Sequence, residues 1–105
     1  MIARIWRGAT RAADADAYLE YLDRTGHQEY RSIAGHRRTV TLRRTEGGRT
    51  EFVVLSFWDS LDAVRAFAGT DVERAVFYPE DDRYLVERED RVRHFDVVYE
   101  DSDAA

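Results

Sequence analysis

The 105-residue chain contains no cysteine, no lysine and no asparagine. Without cysteine it can form no disulfide bond, thiolate nucleophile, iron–sulfur cluster or cysteine-bound zinc site. All sixteen basic residues are arginine, which excludes Schiff-base chemistry and a lysine general base. The groups left for chemistry are three histidines, six tyrosines, two tryptophans, carboxylates, arginines and a few hydroxyls.

The chain also lacks a long apolar run, a signal sequence and a positive net charge. No segment approaches the roughly 20 apolar residues that span a bilayer, so we expect a cytoplasmic protein with no membrane partner. A formal charge of −5 disfavours nucleic acid as a partner. With 44% hydrophobic residues the length suits one domain, predicted over residues 1–100, followed by a disordered tail, residues 101–105.

The first half of the chain reads as a strand followed by a helix. Residues 1–7 predict a strand that Gly8 ends, and Thr10 is the expected N-cap of the helix. Gly26 is expected to end that helix. The apolar face of the predicted helix follows the spacing i, i+3, i+4, i+7 and consists of Ala15, Tyr18, Leu19 and Leu22.

Two further strands follow, joined by a turn at residues 46–48. The first, residues 36–44, carries four arginines, which is typical of an edge strand protected by charge from aggregation. The second, residues 51–58, is apolar on both faces. Because side chains of a strand alternate between the two faces of a sheet, this strand needs a cover on each side.

The second half predicts two helices and a strand. Asp59 or Ser60 is expected to cap a helix that Gly69 ends. A capping box at residues 70–73 predicts a short helix through Val76, and residues 91–100 predict the last strand. In the stretch AVFYPEDD, residues 75–82, Pro79 and the acidic residues after it favour the start of a helical turn over a metal site.

The resulting order is βαββαβ, which predicts an α+β, ferredoxin-like fold with an antiparallel sheet. In this fold the helices cover one sheet face only. Because the strand over residues 51–58 is apolar on both sides, we expect its open face to pack against the sheet of a second copy. The predicted partner is therefore the protein itself, in a homodimer through the sheet face.

Residues 56–85, together with the first strand and the VRHF of the last, resemble the antibiotic biosynthesis monooxygenase family. The resemblance extends over nearly the whole chain and implies a dimeric α+β barrel. Some members oxidise a phenol or hydroquinone to a quinone without metal or flavin, and their strand tryptophan corresponds to Trp58. Their asparagine and tyrosine correspond to Val54 and Val64. In haem-degrading members a tryptophan and the iron-ligating histidine stand where this chain has Phe67 and Phe77, which disfavours haem degradation because a phenyl ring cannot bind iron.

The candidate catalytic residues are His94, Trp58 and Tyr78. His94 is the expected proton acceptor, since an ordinary histidine titrates near neutral pH. Trp58 would position an aromatic ring, and Tyr78 would hydrogen-bond a substrate oxygen. The predicted ligand pocket is lined by Trp6, Tyr30, Val54, Phe67 and Phe77. The spacing of His27, His36 and His94 matches no metal motif, so neither a metal nor another cofactor is expected.

Two functions are compatible with these residues. The first is cofactor-independent monooxygenation of an aromatic or polyketide-like small molecule. The second is a non-catalytic binding or dimeric assembly module of the same fold, favoured by the missing asparagine and tyrosine and by the scarcity of catalytic groups. The identity of the substrate does not follow from the sequence.

Overall fold

The structure, a computed structural model, describes residues 1–101. Its strands are β1 (Ile2–Arg11), β2 (His36–Glu46), β3 (Arg49–Trp58), β4 (Leu85–Arg88) and β5 (Arg93–Asp96). Its α-helices are α1 (Ala15–Leu22), α2 (Gln28–Ser32), α3 (Leu61–Ala68) and α4 (Asp81–Tyr84). A 3₁₀ turn, Ala12–Asp14, precedes α1, and a π-helical turn, Asp23–His27, joins α1 to α2.

The five strands form one antiparallel sheet in the order β2, β3, β1, β4, with β5 also paired to β1. The central strands β1 and β3 pair over ten residues, from Ile2 opposite Trp58 to Arg11 opposite Arg49. The arginine-rich β2 lies at an edge, as expected for a charged strand. The predicted ferredoxin-like α+β fold is confirmed, and the sheet is open rather than closed into a barrel.

The two faces of the sheet differ in burial. On the face that the helices cover, β3 contributes five buried side chains, Thr50, Phe52, Val54, Ser56 and Trp58. On the other face the β3 side chains Val53, Leu55 and Phe57 are only half-buried, and the flanking Leu42 and Phe95 are each 49% exposed. One face of the central strand thus forms the core, and the other is an apolar surface open to solvent in the isolated chain.

The expected end of β1 at Gly8 is wrong, because the strand continues to Arg11. Gly8 lies inside β1, where the indole ring of Trp6 folds over it: a Cβ atom at Gly8 would lie 2.4 Å from Cη2 of Trp6. The expected N-cap at Thr10 is also wrong, since this fully buried residue pairs with β3 and β4. Strand pairing occupies the backbone N–H and C=O groups at Thr10, which therefore cannot begin a helix. The helix α1 begins later, at Ala15.

Gly26 was expected to end the first helix, and this prediction is wrong as well. The helical path continues through the π-helical turn into α2, and Gly26 does not have a positive φ. Gly26 is buried, and a Cβ atom placed on it would lie 3.8 Å from the ring of Tyr78. Gly26 therefore does not reverse the chain, and a methyl group at this position would make only an ordinary contact.

The helix predicted from the capping box at residues 70–73 is not formed. Residues 69–80, here called the 69–80 segment, contain no helix. The Glu73 carbonyl accepts the Val92 N–H (2.7 Å), and the Ala75 N–H bonds to the Asp90 carbonyl (2.8 Å). Since these long-range bonds satisfy the backbone, the local helical signal is overridden.

The last strand, predicted over residues 91–100, is shorter than expected and is preceded by a strand that was not predicted. Of the predicted range only β5 (Arg93–Asp96) is a strand, and it pairs with Ile2–Ile5 of β1. The unpredicted β4 pairs with Gly8–Thr10 of β1, and between the two strands Arg91 forms an isolated bridge to Arg74 of the 69–80 segment. Residues 85–96 therefore run antiparallel to β1 with one interruption in the pairing.

Three local predictions are confirmed. Gly47 and Gly48 form the turn between β2 and β3 with positive φ. Ser60 caps α3 by accepting the Ala63 N–H, and Gly69 ends that helix at φ 87°. A helical turn, α4, follows Pro79 and has acidic residues in its first turn.

Of the tail predicted to be disordered, residues 101–105, only Asp101 falls among the described residues. Among residues 1–101, none of the helices is long and apolar enough to cross a membrane.

A methyl group at Gly8 should destabilise the protein. In Gly8→Ala the new Cβ would displace the Trp6 ring, whose Nε1–H donates to the Glu89 carbonyl at 2.9 Å. We expect the free energy of unfolding to fall by about 1–3 kcal/mol in urea denaturation followed by tryptophan fluorescence. The matched control is Gly26→Ala, in which the added methyl makes only an ordinary contact. Equal losses in the two variants would contradict the steric explanation.

Candidate active site

A cavity lies between the helix-covered face of the sheet, the helical region around the π-helical turn, and the 69–80 segment. Its volume is about 40 Å³. Because one water molecule needs about 10–15 Å³ of such volume, the cavity has room for only a few water molecules in this conformation. The lining residues that carry the argument below are Arg4, Trp6, Tyr30, Phe67, Tyr78 and Asp81.

The five residues predicted to line a pocket, Trp6, Tyr30, Val54, Phe67 and Phe77, all border this cavity. Of the three predicted catalytic residues, only Tyr78 borders it. Trp58 and His94 point to the same side of the sheet but lie outside the lining. The structure therefore brings the predicted pocket together and separates two of the three predicted catalytic side chains from it.

Trp58 belongs to the core behind the cavity. Its side chain is fully buried, and its Nε1–H donates to Ser56 Oγ at 2.9 Å. The indole ring packs edge-on against Tyr30, with ring centroids 5.7 Å apart, and lies near Phe67 at 5.9 Å. Trp58 thus supports two rings that line the cavity without reaching the cavity itself.

His94 contacts the cavity only through Arg4. The two residues face each other across the β1–β5 pair, and Arg4 Nη1 lies 3.1 Å from His94 Nε2. Burial lowers the pKa of His94, and the positive charge of Arg4 lowers it further. His94 is therefore neutral near pH 7, with Nε2 accepting the Arg4 N–H, and this nitrogen is already occupied as an acceptor.

Tyr78 is held by two carboxylates. Its hydroxyl donates to the Glu29 carboxylate in a short hydrogen bond, and its backbone N–H donates to Asp81 Oδ2 at 2.6 Å. Burial raises the pKa of Tyr78, and the Glu29 carboxylate raises it further. Burial likewise raises the pKa of Asp81, which also borders the cavity. Because α4 places Asp81 at the Tyr78 N–H, this carboxylate stabilises the turn after Pro79.

The π-helical turn brings Gly26 and His27 to the cavity. π-Helical turns are rare and occur often at functional sites. His27 Nε2 lies 2.8 Å from Thr41 Oγ1, and its Nδ1 lies 3.5 Å from Asp23 Oδ1. Both ring nitrogens of the one histidine that borders the cavity therefore have protein partners.

Sequence reasoning did not identify Arg4, Glu29 or Asp81. Arg4 could have been found, because alternation along β1 places it on the same face as Ile2 and Trp6, where a charge is unexpected. Asp81 was interpreted only as a helix-start charge. Glu29 carried no signal, since its approach to Tyr78, 49 residues away, depends on tertiary packing.

Within residues 1–101, no three histidine and carboxylate side chains lie close enough together to hold a metal ion.

A family model described as antibiotic biosynthesis monooxygenase matches residues 1–77 of the 105-residue chain. The chain belongs to this family. The resemblance inferred from residues 56–85 is thereby confirmed as a family relationship. No protein of curated function matches the sequence.

Solved structures of antibiotic biosynthesis monooxygenases and related proteins share the fold. A Bacillus cereus protein of that description is similar with a TM-score of 0.68 and 13% identity, covering 99% of this chain and 97% of its own. SnoaB, a cofactor-independent oxygenase from Streptomyces nogalater, has a TM-score of 0.58 and 13% identity, with coverages of 94% and 95%. MhuD, a haem degrader from Mycobacterium tuberculosis, has a TM-score of 0.56 and 20% identity, with coverages of 97% and 100%.

The neutral His94 should make stability depend on pH. Its pKa is lower in the folded than in the unfolded chain, so the unfolded state binds the proton first, and stability falls as pH drops through about 6.5. We expect Tm to decrease between about pH 7.5 and 5.5, and to decrease less in His94→Gln. Glutamine accepts the same Arg4 hydrogen bond and does not titrate.

An identical pH dependence in wild type and His94→Gln would show that the proton is taken up elsewhere. His36→Gln is the comparison variant: burial lowers the pKa of His36 too, in a different part of the fold, so its removal should lessen the pH dependence independently of Arg4.

Proposed function

We propose that the protein is a cofactor-independent monooxygenase that oxidises a small aromatic or polyketide-like molecule in this cavity. The observation that carries the proposal is the convergence of five aromatic residues on one cavity, namely Trp6, Tyr30, Phe67, Phe77 and Tyr78. Aromatic walls with few polar groups suit a flat, electron-rich ring. The fold shared with SnoaB, a cofactor-independent oxygenase, supports the same chemistry.

In this proposal the substrate supplies the electrons. A bound phenol loses its proton, and the ionised ring gives one electron to dioxygen. The two radicals combine, and loss of water leaves a quinone carbonyl, so that one oxygen atom enters the product and the other leaves as water. The protein contributes a dry cavity, orientation of the ring and acceptance of the phenolic proton.

The Tyr78–Glu29 pair is the best-placed proton acceptor. Tyr78 borders the cavity and its hydroxyl already donates to Glu29, so in this proposal a phenolic proton passes to the tyrosine oxygen while the tyrosine proton moves to the carboxylate. His94 was the candidate from the sequence, but it lies outside the lining and bonds to Arg4. We therefore propose His94 as a positioning residue for Arg4, and Trp58 as a positioning residue for Tyr30 and Phe67.

Admission of a ring requires the cavity to expand. Pockets for drug-sized ligands measure roughly 300–1,000 Å³, far more than this cavity offers. The 69–80 segment is the part of the wall without regular structure, since it contains no helix and is joined to the sheet by a few hydrogen bonds. We propose that it moves outward when substrate enters.

A haem group does not fit this site. Phe77, which corresponds to the iron-ligating histidine of haem-degrading relatives, borders the cavity as a hydrocarbon ring under the Arg88 guanidinium, 4.1 Å from its centroid. The histidine that does border the cavity, His27, has both ring nitrogens occupied. The fold similarity to MhuD therefore does not extend to its haem chemistry here.

Removing the Tyr78–Glu29 pair should abolish turnover. With anthrones and naphthols as substrates, wild type should consume one dioxygen per quinone formed, measured with an oxygen electrode and by absorbance. Tyr78→Phe and Glu29→Gln should each lower kcat by about 10²–10⁴-fold, the usual contribution of general base catalysis. The matched control, Tyr84→Phe, alters a tyrosine of α4 that packs against Tyr18 and Tyr21 and lies outside the lining. Full activity in both pair variants would refute the assigned role.

A second candidate is a binding module that uses the cavity without turnover. The observation in its favour is that the polar groups at the cavity already have protein partners: Tyr78 bonds to Glu29, and His27 to Thr41. Absence of oxygen uptake with every phenol tested, together with retained binding of the same compounds, would favour this function.

We also propose a homodimer through the open face of the sheet. The apolar residues of this face, including Leu42 and Phe95, have no cover in the single chain. The paired residues Ile5 and Leu55 lie between these two. Large exposed apolar faces are typical of protein interfaces. Packing of two open sheets would also give the dimeric α+β barrel expected from the family resemblance.

Sedimentation equilibrium at micromolar concentration should give twice the mass of the chain. Leu55→Glu should shift the mass to that of a monomer, because it places a charge at the centre of the apolar face. The control, Leu61→Glu, changes an exposed leucine of α3, on the helical side of the molecule. A monomeric wild type would exclude the proposed dimer.

A further inference from the structure

One charged side chain of the cavity has no opposite charge beside it. Arg4, in the middle of β1, is 3% exposed and borders the cavity. Within residues 1–101 it forms no salt bridge: it donates to the backbone carbonyls of Val72 (2.5 Å) and Arg74 (3.0 Å) and to His94 Nε2. Burial lowers the pKa of Arg4; the neighbouring Tyr30 hydroxyl raises it in part, and no carboxylate does so. A guanidinium nonetheless remains ionised in proteins, so a positive charge borders the cavity with no carboxylate in contact with it.

The carboxylates near the cavity have other partners. Asp81 accepts the Tyr78 N–H, and Glu29 accepts the Tyr78 hydroxyl. Neither lies within salt-bridge distance of Arg4. The charge that would neutralise Arg4 is therefore not supplied by the described part of the chain.

Arg4 also has hydrogen-bonding capacity left. A guanidinium carries five N–H groups. Two from Nη1 and one from Nη2 bond to the protein, and the Tyr30 hydroxyl is one further partner, so at most four of the five are engaged. The guanidinium carbon lies 5.6 Å from the centroid of the Phe67 ring, which also lines the cavity. The remaining N–H and the charge are thus next to an aromatic wall, where a ring bearing an ionised oxygen would meet both.

We propose that Arg4 is the anion-recognition residue of the cavity, and that the ligand is a small aromatic molecule with an ionised oxygen, either a carboxylate or a phenolate. The inference rests on the proposed function only in taking this cavity as the ligand site. It deepens that function by assigning the substrate class, because a phenolate formed beside Arg4 is stabilised in the state that reacts with dioxygen.

A purely structural role explains less of what is observed. Two backbone carbonyls and a neutral histidine can be satisfied by a neutral donor, whereas burying a charge without a counterion is costly. Since Arg4 holds the carbonyls of Val72 and Arg74, it also joins the sheet to the 69–80 segment. An anion that draws the guanidinium toward itself would weaken this connection and favour the opening that a ring requires.

The test compares anions with neutral molecules of similar shape. Binding to the full-length protein is measured by isothermal titration calorimetry with two pairs, benzoate against benzamide, and pentafluorophenol, ionised at neutral pH, against pentafluorobenzyl alcohol. In wild type each anion should bind at least about tenfold more tightly than its neutral partner. A preference in only one pair identifies the ligand group as a carboxylate or a phenolate.

Two substitutions of Arg4 and one control locate the effect. Arg4→Gln keeps an N–H donor for a backbone carbonyl and should lose the preference, and Arg4→Lys keeps the charge and should retain part of it. The control, Arg11→Gln, removes an arginine of the same strand whose side chain is 70% exposed and pairs with Asp14. It should bind as wild type does. If Arg4→Gln does not fold, the question is decided by two other measurements: the preference of wild type for anions, and the smaller preference expected in Arg4→Lys.

Equal affinity for anions and neutral partners in wild type would overturn the proposal, as would an undiminished preference in Arg4→Gln. Oxygen uptake, measured on the same samples, separates this inference from the proposed function. Arg4-dependent anion binding without oxygen uptake from any phenol would remove the monooxygenase function and leave the recognition site. Oxygen uptake without any preference for anions would remove the recognition site and leave the monooxygenase function.

Discussion

The pairing of β1 with β3 determines where every functional side chain lies. Ten consecutive residue pairs fix the register, so that Arg4 stands opposite Ser56 and Trp6 opposite Val54 on the helix-covered face. A shift of β1 by one residue relative to β3 would move Arg4 and Trp6 to the open face and bring Ile5 to the helix-covered face. The cavity, its charge and the apolar outer face are therefore consequences of one register, which the burial of Phe52, Trp58 and their neighbours maintains.

Arg4 connects the central strand to the wall of the cavity and to His94. From the central strand it reaches the backbone of the 69–80 segment and the imidazole of His94, so the wall of the cavity and its electrostatic character depend on the same group. Tyr78 borders the cavity on another wall, where its hydroxyl donates to Glu29 and its backbone N–H donates to Asp81. The cavity thus has a cationic group from the sheet and an acidic group from the helices, with aromatic rings between them.

Much of the local structure could be predicted from short-range patterns. The turn predicted at residues 46–48, the Ser60 cap and the strand with two apolar faces, residues 51–58, each depend on neighbouring residues, and each was predicted from them. The helix expected after Thr70 shows the limit of such patterns. Its capping box is a genuine local signal, but Glu73 and Ala75 bond to Val92 and Asp90, and these bonds depend on distant parts of the chain.

The sequence by itself determined the family, the ferredoxin-like order of elements and the set of aromatic residues available to a pocket. The family follows from the resemblance of residues 56–85 and of the first and last strands to its members, whereas the order of elements follows from periodicity and capping, which are local and need no knowledge of the packing. Only the tertiary structure decided that Trp58 supports the cavity from behind, that His94 bonds to Arg4, and that Glu29 reaches Tyr78. These relations join residues up to 90 positions apart, and hydrogen bonds over such separations depend on the folded geometry rather than on any spacing in the chain.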